Sequence, residues 1–229
     1  MSRQDTLAEK MIAFNRDLDI TSKLPPGVEV MNPFRDETVT DLMKQFYMKY
    51  YSDNRTRRLI LGINPGRFGA GVTGIPFTDP VKLEEYCGIK NPFQKSTEAS
   101  AGFIYALIDA YGGAGKFYSD FLISAVSPLG FTKDGLNYNY YDSGELTKTT
   151  GPFIISTLRK TLEWEIDNRY CFCLGNGKNY DYLKKLNDKL PLFGKVIPLP
   201  HPRWVAQYRR KRMDEFVQVY LDAFSQYPA

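Results

Sequence analysis

Two polar side chains of kinds that do chemistry stand where apolar runs break. The run Leu59-Ile60-Leu61-Gly62-Ile63 reads as a buried strand, and Asn64-Pro65-Gly66 ends it. Pro65 has no backbone donor and Gly66 permits a positive φ, so pairing stops there. Asn64 is therefore delivered at the carboxyl end of a strand, where open α/β sheets bind ligands. The alternative for this triplet is an ordinary capping turn. The second residue is His201, the chain's only histidine, which follows the run Val196-Ile197-Pro198-Leu199. Pro200 and Pro202 flank it and hold its backbone extended or in a turn, leaving the ring little freedom to lose. An imidazole so held serves either a loop hydrogen bond or catalysis.

Taken together, the two segments resemble the uracil-DNA glycosylase superfamily, most closely its single-strand-selective monofunctional branch. That branch carries a strand, then Gly-Met-Asn-Pro-Gly-Pro-Phe/Trp-Gly, a short spacer and Thr-Gly-Val-Pro-Phe. Here Gly62 to Gly69 leads through Ala70-Gly71-Val72 to Thr73-Gly74-Ile75-Pro76-Phe77 without a gap. Ile63 also matches the Gly-Ile-Asn-Pro-Gly of the mismatch-specific branch. His201-Pro202 is similar to the start of the superfamily's His-Pro-Ser-Pro motif, although Arg203-Trp204 replaces its second half.

Cleaving an N-glycosidic bond builds positive charge on the sugar and negative charge on the departing base. An enzyme for this must hold a water against the sugar and stabilise a base anion. The resemblance implies that Asn64 orients the water and that a neutral His201 donates to the pyrimidine carbonyl. It implies that Phe77 stacks on a base turned out of the helix, with Gly62, Ile63, Pro65, Gly66, Phe68, Ser124 and Ala125 around it. Arg67, Arg203, Trp204, Val205, Arg209 and Arg210 are the DNA-binding candidates, with Arg203, Trp204 or Val205 as the wedge that fills the vacated space. Aligning Pro128-Leu129 with the branch's Cys-Pro-Leu-like turn puts Ala125 where an asparagine reads the base edge. Alanine can neither donate nor accept, so Ser124, Ser127, Asn137 or Asn139 would have to substitute, which would broaden the substrates to other deaminated bases. No motif position supplies an amine nucleophile, so a lyase step is not expected.

A chain of 229 residues, 43% hydrophobic and 24% charged, suits one α/β domain with a buried core. We expect that domain to be uracil-DNA glycosylase-like over residues 1–229, with a helical extension over 1–50. The net charge of +4 permits a polyanionic partner without establishing one. Three cysteines without a CxxC pair argue against a disulfide framework, a zinc site and an iron-sulfur cluster. No signal-peptide pattern and no apolar run of ~18 residues is present, so a cytoplasmic, cofactor-free monomer acting on DNA is expected.

Amphipathic helices are expected over Thr6 to Leu18 and Glu37 to Tyr50, flanking a Pro25-Pro26-Gly27 loop. Strands follow at Leu59 to Ile63, Phe121 to Val126, Tyr170 to Leu174 and Val196 to Leu199. Between them lie helices from Pro80 to Tyr86, Thr97 to Tyr111, Pro152 to Asp167 and Tyr180 to Leu190, with residues 127–150 as a long irregular segment and Gln207 to Phe224 as a closing helix. Crossover helices imply a three-layer α/β/α fold around a mostly parallel four-stranded sheet. Two rival readings remain: a noncatalytic nucleic-acid-binding module, or a small nucleotide-binding enzyme with the Gly66 to Gly74 turn as a phosphate cradle. The turn lacks the Gly-Lys-Ser/Thr ending of a P-loop.

Overall fold

The apolar run ending at the Asn64 turn becomes strand β2 (Arg57–Gly62), buried along its whole length. A strand covered on both faces reads as continuous rather than alternating hydrophobicity, as this one does. In the computed structural model, which describes residues 4–228, β2 lies inside a four-stranded sheet with β3 (Phe121–Ala125), β6 (Ile166–Leu174) and β7 (Lys195–Leu199). The order is β3-β2-β6-β7 and every pairing is parallel. Helices flank it: α4 (Pro80–Glu85), α5 (Ala99–Tyr111) and α6 (Ala114–Asp120) connect β2 to β3, α7 (Gly144–Leu162) precedes β6, and α8 (Lys178–Lys189) joins β6 to β7. The expected α/β architecture is the one found.

Cap chemistry sets the helix starts. Thr6 and Glu9 form a capping box at α1 (Leu7–Asp17), and the Asp36 carboxylate accepts from Thr38 and Val39 at α2 (Glu37–Tyr50). The Asp79 carboxylate accepts from Lys82 N–H at α4. α1 and α2 share the sheet's core, with Leu7, Met11, Met43 and Phe46 in one buried cluster with Leu59 to Leu61.

Four expectations need correction. The stretch before α2 carries strand β1 (Val28–Met31), so the N-terminal segment is not purely helical. Residues 127–150 are not an irregular loop, because β4 (Gly130–Lys133) and β5 (Leu136–Tyr138) form a hairpin that pairs with β1 in a second, antiparallel sheet. Its two-residue turn is Asp134-Gly135, with φ of 51° and 71°. That is the Asp-Gly signature of a tight hairpin, and it stood in the sequence unread. α7 begins at Gly144, capped by Ser143, and carries Pro152 inside it rather than at its start. The closing helix is likewise two helices, α9 (Pro202–Tyr208) and α10 (Met213–Gln226), separated by a 3-10 turn at Arg210–Arg212.

Candidate active site

The β2–β3 ladder continues past both strands. Val126 N–H donates to Gly62 O and Ser127 N–H to Ile63 O, both at 3.0 Å, so Asn64 follows directly on the last rung. Its side chain is held at both ends: Oδ1 accepts from Tyr140 N–H at 3.2 Å and Nδ2 donates to Pro65 O at 3.2 Å. These partners assign which end of the amide is oxygen. A lone pair on Oδ1 and one N–H are left, enough to hold a water.

Register places Ser124 beside Leu61 and Ala125 beside Gly62. With Ile63, Asn64, Pro65, Gly66 and Phe77 they line an inner cavity of about 730 Å³, counted with its open mouth. Gly62 is required by close approach, since a Cβ there would come within 2.7 Å of Phe77 Cζ. Phe77 itself has a φ of 54°, a left-handed conformation that costs a non-glycine residue energy. The turn is braced from behind, where Thr73 Oγ1 donates to Thr78 O at 2.6 Å and the Thr78 hydroxyl meets Tyr105 OH at 2.9 Å.

His201 forms the N-cap of α9. Its Nδ1 accepts from Arg203 N–H at 3.1 Å, which leaves the ring proton on Nε2. Burial, with the Arg203 charge as a second cause, pushes the imidazole pKa down to about 4, so the ring is neutral at physiological pH. An outer cleft of about 340 Å³ is lined by His201 and Asn64 together, with Ile63, Pro65, Gly66, Phe77, Arg203 and Trp204. The amide and the imidazole thus open onto one cleft.

Several candidates fall elsewhere. Phe68 is 51% exposed and lines neither cavity; its ring lies under the Arg67 guanidinium at 4.7 Å, so it is no wall of a base pocket. Val205 is completely buried on the inner face of α9 and is removed from the wedge and DNA-contact set. Arg209 stacks 4.9 Å above Trp204, and Arg210 is exposed in the 3-10 turn; neither reaches the cavities. Of the substitute base readers, Ser127 is buried with its hydroxyl donating to Leu129 O, and Asn137 Oδ1 accepts from Arg67 N–H at 3.0 Å. Asn137 and Asn139 both line the outer cleft. The phosphate-cradle reading of the Gly66 to Gly74 turn fails, because the N–H groups of Gly69 and Gly71 both donate to Gly66 O and those of Val72 and Thr73 to Gly69 O.

Sequence reasoning missed two residues. Tyr140 is fully buried; its N–H holds Asn64, and its hydroxyl donates to Asn179 Oδ1 at 2.7 Å. Asn179 Nδ2 in turn donates to Leu174 O at 3.1 Å and reaches Gly62 O at 3.5 Å. Tyr140→Phe strands the Asn179 acceptor, and we expect chemical denaturation to show a loss of about 1–3 kcal/mol. The second is Glu98, the one carboxyl among the residues lining the inner cavity and the outer cleft.

Comparison with known proteins follows from this geometry. The family model for the uracil DNA glycosylase superfamily matches residues 48–225. The chain belongs to that superfamily. Among solved structures, the crystal structure of wild-type Pedobacter heparinus SMUG2 is similar at 46% identity, with a TM-score of 0.94, over 97% of this chain and 98% of that one. No curated protein matches. The likeness to SMUG2 agrees with the single-strand-selective branch indicated by the first motif. Membership in a DNA glycosylase superfamily makes DNA the substrate class. Among the described residues no helix is long and apolar enough to cross a membrane, and no group of three or more His, Cys, Asp or Glu is placed to hold a metal ion.

Proposed function

We propose that this protein is a monofunctional DNA glycosylase that hydrolyses the N-glycosidic bond of uracil or a related deaminated base in base excision repair, as a monomer. The observation that carries this reading is the convergence of the Asn64 amide and the neutral His201 imidazole on one cleft beside the Phe77 cavity. The extruded base occupies the inner cavity against Phe77. As the C1′–N bond breaks, its electron pair goes to the base, and Nε2–H of His201 stabilises the charge on a carbonyl oxygen without giving up its proton. A water on Asn64 bonds to C1′ and releases its proton to solvent. An amide suffices because bond breaking runs ahead of attack. Among the described residues no lysine lines either cavity, which agrees with the absence of a lyase step. Arg203 and Trp204, exposed at the cleft's rim, contact the DNA around the gap.

The test is incubation with oligonucleotides carrying uracil, hypoxanthine or xanthine, followed by alkaline cleavage of abasic sites. Strand scission at one lesion or more is expected; none at any would sink the proposal. Ala125 favours one second reading, a noncatalytic binding module, which predicts retention of uracil DNA with no abasic product. Phe77→Ala removes the stacking face and is expected to weaken substrate binding by ~1–3 kcal/mol, read as a rise in Kd for a uracil oligonucleotide.

A further inference from the structure

Glu98, the residue before α5, is anchored by its backbone N–H, which donates to Asp79 Oδ2 at 2.8 Å. The carboxyl reaches over the first-motif loop so closely that a Cβ on Gly69 would lie 1.9 Å from Oε2 and would displace the Glu98 side chain from its place. It lines both the inner cavity and the outer cleft, as Asn64 does.

An ionised carboxylate at that junction would face the phosphates of a DNA strand and the anion of a departing base. The charged or titratable groups around it are Asp79 before α4, Arg203 of α9, and His201 and Tyr208, which share the outer cleft. Ala125 meanwhile leaves the base without the amide that would pair with its edge. A neutral carboxyl offers one donor and one acceptor, the same pair an amide offers.

Resting on the glycosylase reading, we propose that Glu98 is a specificity-determining residue that acts in its protonated form, donating O–H to a carbonyl oxygen of the extruded base. A carbonyl is the group that deamination creates, whereas an ionised Glu98 would only accept. The free protein is already poised for this: burial, then the Asp79 charge, raises the Glu98 pKa to about 7 against the opposing pull of Arg203 and Ser100.

The experiment is kcat/KM on a uracil oligonucleotide between pH 5.5 and 9 for wild type, Glu98→Gln and Glu98→Ala, with melting temperatures as a folding control. kcat/KM reports groups of the free enzyme, so wild type should be level in acid and fall about tenfold per pH unit above ~7. Glu98→Gln keeps a donor and should show no such fall. Glu98→Ala should be about tenfold slower in acid and flat. A level wild-type profile, a parallel fall in Glu98→Gln, or full activity in Glu98→Ala overturns the assignment. Binding separates this from the catalytic reading: Asn64→Ala should bind uracil DNA more weakly above pH 7, and Asn64→Ala/Glu98→Gln should not. If no abasic product forms at any pH, the catalytic reading falls, and that binding contrast alone decides for or against Glu98.

Discussion

Asn64→Ala is expected to remove strand scission at uracil, a loss of roughly 100- to 10,000-fold in single-turnover rate, while leaving affinity for uracil DNA near that of wild type. Affinity should persist because the base cavity is built from Phe77, Gly62, Ser124 and Ala125, none of which leans on the Asn64 side chain. The rate should collapse because Asn64 carries the one side-chain amide that lines both the inner cavity and the outer cleft and is positioned at both ends, by Tyr140 N–H and Pro65 O. Stability should change little, because Asn64 is half-buried at the mouth of the cleft and a water can take its side chain's place on the Tyr140 N–H. Single-turnover cleavage and fluorescence anisotropy on the same oligonucleotide check both halves. Scission at the wild-type rate would remove Asn64 from the mechanism, and lost binding with lost scission would make it a structural residue.

His201→Ala is expected to slow cleavage ~100-fold or more, the scale of losing one donor to a developing oxyanion. Its pH behaviour is more diagnostic. With the folded pKa lowered from 6.5 to about 4, the ring stays neutral well below the point where a free imidazole charges, so the wild-type rate should not drop as pH falls through 6.5, a direction opposite to the alkaline fall assigned to Glu98. An inflection there that vanished in His201→Ala would mean the imidazolium takes part. The linkage to stability has a definite sign: a depressed histidine contributes stability fully above pH 6.5 that is lost as pH falls through about 4. Glu98 runs the other way, contributing below pH 4.5 and losing that contribution as pH rises through about 7. Thermal melts of His201→Ala and Glu98→Gln against wild type should diverge at opposite ends of the pH scale.

What could be read from the chain divides along physical lines. β2 and its Asn-Pro-Gly break were legible because a strand buried on both faces is a continuous apolar run and proline ends it unambiguously. The starts of α2 and α4 were legible because Asp36 and Asp79 are good caps. The hairpin was missed although Asp134-Gly135 marked it, because β4 and β5 are short and most of β5 faces solvent, leaving little hydrophobic alternation. Val205 looked like a wedge because a one-dimensional motif does not say which side of α9 turns inward. Tyr140 and Glu98 had no local signal. Tyr140 acts through its backbone N–H across a long loop closure, and Glu98 matters through a void that Gly69 leaves open.

The hydrogen bond from Arg203 N–H to His201 Nδ1 welds the imidazole to the first turn of α9, the same turn that presents Arg203 and Trp204 at the rim. On the proposed mechanism, a displacement of the indole would carry the ring with it. A shift of about 1 Å at such a group costs on the order of 100-fold in rate, so contact of that helix with DNA would tune turnover from outside the pocket.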